Sequence, residues 1–208
     1  MNLYPLGTNY FSVLPKKKTR AMFGSNNLIV RYGTHGDGTC FYYSLCAILN
    51  KDNYLSKPLR QQLAIGRRLR CSFTKSLTWE EWTEFLEYKG ITNSEVQNLT
   101  ELKKKMCSYQ VWADEPVIRF IMYKLRVNLI FLDERLNRLY CGVTEPESDL
   151  TAVILWVNKS HFEPLGRLNA LDGDKDKVAV QFQFFPGEDS EFIDTLMNFY
   201  VDTCVVEK

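Results

Sequence analysis

Apolar positions change period about two-thirds of the way along the chain. Up to residue 125 they recur mostly three and four apart; from residue 127 to 184 they run continuously or alternate, and helical spacing returns only at the end. After a short apolar run, Leu28-Ile29-Val30, comes a turn cluster, Gly33-Thr34-His35-Gly36-Asp37-Gly38. Helical spacing then begins at Cys40 and places Phe41, Leu45, Ile48 and Leu49 on one stripe. A second helix is expected from about Ser56 to Phe73, with Ser56 as N-cap and Pro58 in its first turn. A third starts at Thr78, where Thr78-Trp79-Glu80-Glu81 has the form of a capping box, and stops at Gly90. Residues 94–106 repeat the helical pattern, and Asp114 caps a helix presenting Val117, Ile118, Ile121, Met122 and Leu125. That helix runs into Val127-Asn128-Leu129-Ile130-Phe131-Leu132, which suits a buried strand. Further strands are expected over 138–143 and 151–157 and through Val178, Val180, Phe182 and Phe184. A last amphipathic helix over 189–200 uses Phe192, Ile193, Leu196 and Met197.

Helices first and strands afterwards predict an α+β chain, a central twisted β-sheet flanked by helices, without parallel βαβ winding. No internal repeat or Gly/Ser-rich linker divides the 208 residues, so a single domain is expected over 26–208, preceded by an irregular arm over 1–25. The arm carries the basic run Lys16-Lys17-Lys18-Thr19-Arg20, read as a solvated tail. A chain of this length buries roughly 70% of its unfolded surface. With 45% apolar and 25% charged residues it is neither disordered nor fibrous. No run approaches the roughly 18 apolar residues of a membrane-spanning helix, and the N-terminus lacks the apolar core of a secretory signal.

Net charge is +1, from 26 Lys+Arg against 25 Asp+Glu, which argues against a nucleic-acid partner. Arg60, Arg67, Arg68 and Arg70 accordingly read as a solvated helix flank. Six scattered cysteines lack zinc-type spacing, and no metal or cofactor is expected. Without an export signal they are expected as reduced thiols, Cys46, Cys71, Cys107, Cys141 and Cys204 structural. Asp172-Gly173-Asp174-Lys175-Asp176 superficially has the look of a calcium loop. Lys177 stands where the turn glycine belongs and Gln183 where the bidentate Glu belongs, so it reads as a turn.

Candidate chemistry concentrates in two segments. In Gly36-Asp37-Gly38-Thr39-Cys40-Phe41 a glycine-rich turn delivers a cysteine to the start of a helix. Unpaired N–H groups and the positive end of the helix dipole there favour a thiolate, and the same donors suit an oxyanion. Trp156-Val157-Asn158-Lys159-Ser160-His161-Phe162-Glu163-Pro164 places a histidine just after an apolar strand. A base needs a partner for its other ring nitrogen. Glu163, two residues on in extended chain, would reach Nδ1, and Asn158 is the alternative through a turn. The chain has only two histidines; the other, His35, competes as a base but is expected to flank a groove.

These residues resemble the ovarian-tumour (OTU) cysteine proteases. Asp37-Gly38-Thr39-Cys40-Phe41 is similar to the family's Asp-Gly-x-Cys signature, and His161-Phe162-Glu163-Pro164-Leu165 to its histidine-bearing end. Asp114 through Leu132 is similar to the segment feeding its central strand. Nucleophile and base stand about 120 residues apart in the family's order, and the likeness covers roughly 26–166. It implies a papain-like fold and a cofactor-free deubiquitinase. Cys40 would be the nucleophile, His161 the base, Asp37 a brace of the oxyanion loop, and a residue near the histidine its orienting partner. Glu163 stands where Asp or Asn is usual, so Glu163 and Asn158 both stay open for that last role. The implied partners are ubiquitin or polyubiquitin chains, and ubiquitin-like modifiers as the alternative. Carboxylates at Glu80, Glu81 and Glu84, or at Glu145 to Asp149, would suit the arginines of ubiquitin's tail, and Trp79, Trp82, Phe85 and Leu86 would serve either the core or ubiquitin's apolar patch. A ubiquitin-binding module without turnover is the other reading. The expected compartment is the cytoplasm, of a host cell if the chain is a viral protein or bacterial effector.

Overall fold

A computed structural model describes residues 4–5, 11–24, 27–92, 96–136, 139–141, 148, 150–169 and 177–199. Its strands are β1 (Tyr4–Pro5), β2 (Phe11–Val13), β3 (Ile29–Tyr32), β4 (Val127–Asp133), β5 (Leu139–Cys141), β6 (Leu150–Val157), β7 (His161–Asn169) and β8 (Lys177–Gln181). Its helices are α1 (Lys16–Phe23), α2 (Cys40–Leu49), α3 (Lys51–Leu55), α4 (Leu59–Ser72), α5 (Trp79–Tyr88), α6 (Leu99–Cys107), α7 (Glu115–Leu125) and α8 (Ser190–Phe199). The class is α+β, as expected.

One mixed sheet runs β1-β8-β7-β6-β4-β5, and β3, carrying β2, pairs along the other edge of β7. The one parallel pair among these strands is β4 with β6; β5 turns back between them in sequence, so no helix crosses over there. Side chains alternate across β4 and β6 into two cores. Val127, Leu129, Phe131, Ala152 and Ile154 face a large core with α2, α5, α6 and α7. Ile130, Leu132, Val153 and Leu155 face a smaller one with α1 and α8. Burial on both faces is why these strands read as continuous apolar runs.

Several expectations hold in detail. Thr78 caps α5 by accepting from Glu81 N, and Asp114 caps α7 by accepting from Val117 N. Trp82 and Phe85 are core residues, packed edge-on against Phe120.

Four expectations are corrected. The arm expected to be irregular contributes β2 and α1, because Phe11, Met22 and Phe23 have a core to enter while Lys16 and Lys17 stay exposed. Ser56 does not open the second helix: Tyr54 buries as the anchor of the short α3, Ser56 follows that helix, and α4 begins after Pro58. Pro164 and Gly166 hid strand β7; Pro164 lies one residue before the stretch that β3 pairs, where a missing donor is tolerated. Helix α2 has no polar face: every residue from Cys40 to Ile48 is buried.

Helix α2 lies between β7 and α4. At Gly66 of α4 a Cβ would stand 2.1 Å from the Tyr43 ring, so only glycine admits this approach. Cys71, near the end of α4, is joined by a disulfide to Cys107, the last residue of α6, with their Cα atoms 4.6 Å apart. This corrects the expectation that both are reduced thiols; at a sequence separation of 36, only the packing of α4 on α6 reveals the pair. Cys40 and Cys46 are free and buried. Residues 171–176, most of 145–149 and Cys204 lie outside the described residues.

Closing a loop of that length stabilises a chain by about 3–4 kcal/mol. Urea unfolding of Cys71→Ser, or of the wild type under reductant, is expected to lose about that much; an unchanged midpoint would show the bridge to be absent in solution.

Candidate active site

Cys40 is the first residue of α2, and His161 is the first residue of β7. Two hydroxyls meet the carbonyl of Phe162: Thr34 Oγ1 from the turn before α2 at 2.7 Å, and Ser44 Oγ of α2 at 3.0 Å, whose single proton is shared with Cys40 O at the same distance. Cys40 Sγ lies 3.9 Å from Ser160 O, at the end of the β6–β7 turn.

The imidazole is oriented by what surrounds Nε2. Glu163 Oε1 is 3.5 Å away and Thr34 Oγ1 is 3.4 Å away. The Thr34 proton is committed to Phe162 O, so both oxygens present lone pairs and Nε2 carries the hydrogen. Nδ1 is buried with no hydrogen-bond partner of its own, and the Cys40 thiol is directed at Ser160 O. This corrects one sequence expectation, since Glu163 meets Nε2 and not Nδ1. The neighbouring Cys40 first, and Glu163 second, raise the His161 pKa to about 9 against the opposing effect of burial.

Glu163 is buried beneath the ring, and its second oxygen lies 3.4 Å from Arg31 Nη1 of β3. Arg31 Nε in turn donates to Ser12 Oγ of β2 at 2.8 Å. Asn158 is not brought to the ring. It sits exposed, with φ +49°, in the turn before His161, and its backbone N–H donates to Glu134 Oε2 at 3.2 Å. His35 is exposed and packs towards Tyr43, with ring centroids 6.5 Å apart.

Asp37 braces the turn before Cys40. Its Oδ1 accepts from Thr39 N at 2.8 Å; its Oδ2 accepts from Tyr43 Oη at 3.0 Å and pairs with Arg67 at 3.3 Å. Burial, and then the bond to Asp37, push the Tyr43 phenol up to about 12, so it stays a donor at neutral pH. The turn uses most of its own donors: Asp37 N bonds His35 O and Cys40 N bonds Asp37 O. Among the described residues Gly38 N–H has no acceptor. Gly38 also abuts other backbone, for a Cβ there would lie 2.5 Å from Tyr109 O, whereas one on Gly36 would meet nothing.

Arg67, Arg31, Thr34 and Tyr43 escaped the sequence reading. Arg67 and Arg70 were grouped with a solvated flank, yet Arg67 pairs with Asp37 and Arg70 is buried. A signal for Arg70 existed: Gln62, Gly66 and Arg70, four residues apart, form the buried stripe of α4. No group of residues able to hold a metal ion occurs among the described residues.

No family model and no curated protein matches the sequence. Solved structures do resemble it. An ovarian-tumour (OTU) domain in complex with ubiquitin shares 16% identity, covering 83% of this chain and 86% of that one, with a TM-score of 0.51. The fold is that of an OTU domain. The OTU domain of OTUD1 (14% identity, 72% of this chain and 91% of that one, TM-score 0.49) and the viral OTU domain protease of Taggert virus (14%, 84% and 96%, 0.48) are also similar. On this OTU fold β3, β6 and β7 carry the residues around the histidine, and α2 carries the cysteine.

Two measurements test this geometry. Gly36→Ala is expected to leave urea stability within about 0.5 kcal/mol, and Gly38→Ala to cost about 1–3 kcal/mol through its clash with Tyr109 O; equal effects would overturn the placement of Gly38. By NMR, His161 is expected to titrate near 9, above its ordinary 6.5. Because the folded pKa is raised, its contribution to stability is full below about 6.5 and is lost as pH rises through about 9. Cys40→Ala is expected to lower that pKa most and Glu163→Gln less; a wild-type value near 6.5 would contradict the site described.

Proposed function

We propose that the protein is a cysteine-type deubiquitinase, hydrolysing isopeptide or peptide bonds after the C-terminal glycine of ubiquitin or polyubiquitin chains. The observation that carries this reading is Cys40 at a helix start beside a histidine whose other nitrogen faces Glu163, on an OTU fold. That one of the similar structures is an OTU domain in complex with ubiquitin supports the choice of substrate.

In the reacting pair the Cys40 proton rests on His161 Nδ1, as the raised imidazole pKa favours, and the thiolate attacks the glycyl carbonyl carbon, forming the C–S bond while the carbonyl π electrons become the oxyanion. Backbone donors of the turn over 37–40 hold that oxyanion, Gly38 N–H being the one with no acceptor of its own. Collapse breaks the C–N bond, and His161 returns its proton to the departing lysine amine. His161 then deprotonates a water that attacks the thioester, and the released thiolate recovers its proton. Asp37 keeps the turn in shape. Glu163, held by Arg31, orients and stabilises the imidazolium, and Asn158 takes no part.

A ubiquitin probe with a C-terminal electrophile is expected to label the wild type at Cys40. Cys40→Ala is expected to abolish cleavage of di-ubiquitins while still binding ubiquitin, and Glu163→Ala to lower kcat on the order of 10²-fold where Asn158→Ala is nearly silent. Substantial cleavage by Cys40→Ala would sink the assignment. Labelling by probes of ubiquitin-like modifiers alone would shift the substrate, and ubiquitin binding without labelling would leave a binding module without turnover.

A further inference from the structure

We propose that Arg70 is a positioning residue for the reaction, holding the Gly38–Thr39 peptide of the nucleophile turn in one orientation; this rests on the hydrolase reading above. Arg70 is 1% exposed, at the interior of the α4 face that packs behind the turn. Its guanidinium donates to four backbone carbonyls: Nη1 to Gly38 O at 2.5 Å, Nε to Met106 O at 2.6 Å, and Nη2 to Lys105 O at 3.2 Å and to Val111 O. It packs over the Tyr42 ring, 5.0 Å from the centroid, and among the described residues no carboxylate lies within ion-pair distance. A buried cation answered by main-chain oxygens and one aromatic ring, with no carboxylate, is a poor device for stability, since an apolar side chain of similar size is often as good or better. What the rigid fork does well is fix several carbonyls at once.

The peptide it grips is the one that matters. Arg70 holds its oxygen, Gly38 O, while Asp37 Oδ1 accepts from its nitrogen, Thr39 N, at 2.8 Å. Held at both ends, that peptide cannot rotate without breaking a charge-assisted bond on each side. Holding that plane removes the ψ freedom of Gly38 and the φ freedom of Thr39, and so limits how the adjoining Gly38 N–H and Cys40 backbone can move. The same guanidinium holds the segment over 105–111, whose Tyr109 O fills the space beside Gly38. Nucleophile turn and neighbouring segment thus share one anchor.

The experiment is Arg70→Lys, which keeps the charge and loses the fork, read in two ways. With a ubiquitin–fluorophore substrate, kcat is expected to fall about 100-fold with KM nearly unchanged, as for a misplaced transition-state donor. Alkylation of Cys40 by iodoacetamide should keep its wild-type pH profile, since the Cys40–His161 pair is untouched. By amide hydrogen exchange, Thr39 is expected to be as slow as the core of α2 in the wild type and at least about tenfold faster in the variant, with core amides unchanged. Unchanged kcat with unchanged Thr39 exchange would overturn the proposal. So would a loss of kcat that only tracks the folded fraction. Should the wild type neither cleave nor label with ubiquitin, the hydrolase reading falls, and Thr39 exchange alone decides whether Arg70 holds the turn. Should Arg70→Lys fail to fold, the wild-type exchange decides: protection at the core level supports the clamp, and fast local exchange overturns it.

Discussion

The burial of α2 on every side is the constraint from which the site follows. A helix with no solvent face has no freedom to roll or slide, because each movement drives a side chain into β7 or into α4. Gly66 removes the one Cβ that would hold α4 away from Tyr43, and Ser44 ties the helix to the carbonyl beside His161. Cys40 and His161, 121 residues apart in sequence, therefore meet through packing rather than through a flexible loop. Reaction geometry within tenths of an ångström is worth orders of magnitude in rate, and a wedged helix is a cheap way to keep it.

Around this pair the charges are arranged in two separate sets. Asp37, Arg67 and Arg70 act on the turn, through backbone groups and Tyr43; Glu163 and Arg31 act on the imidazole. On the proposed mechanism, keeping Asp37 occupied in the turn matters, because a second carboxylate at the ring would compete with Cys40 for the same proton. The turn's carboxylate is instead occupied by a backbone N–H, a phenol and a guanidinium.

What the sequence made legible was local. Caps at Thr78 and Asp114 and the apolar run of β4 depend on neighbours a few residues away, and each is found where the pattern puts it. What it hid was decided by distant chain. Met22 and Phe23 became core residues only because α8 and the second sheet face were there to receive them. Arg70 was taken for a surface charge because composition cannot show four carbonyls converging from the turn at 38 and the segment over 105–111. Strand β7 was hidden by Pro164 and Gly166, residues that break an isolated strand but are accepted here opposite Ile154 of β6 and Val30 of β3. The choice between Glu163 and Asn158 also turned on geometry, since the left-handed turn at 158 and 159 directs Asn158 to solvent.

Glu163 in place of a shorter acid has a structural consequence. The extra methylene lets one carboxylate span from His161 on its own strand to Arg31 on β3, at 3.5 Å and 3.4 Å. Neither distance is a strong hydrogen bond, so the ring is steered by charge and by Thr34 rather than by one short directional bond. A carboxylate shared with arginine is also a weaker attractor of protons than an unshared one, which limits how far the imidazolium is favoured. On the proposed mechanism, too strong a preference would leave His161 unable to give its proton to the leaving amine. Arg31 thus makes the longer acid serviceable, and through Ser12 it links the N-terminal strand β2 to the reacting pair.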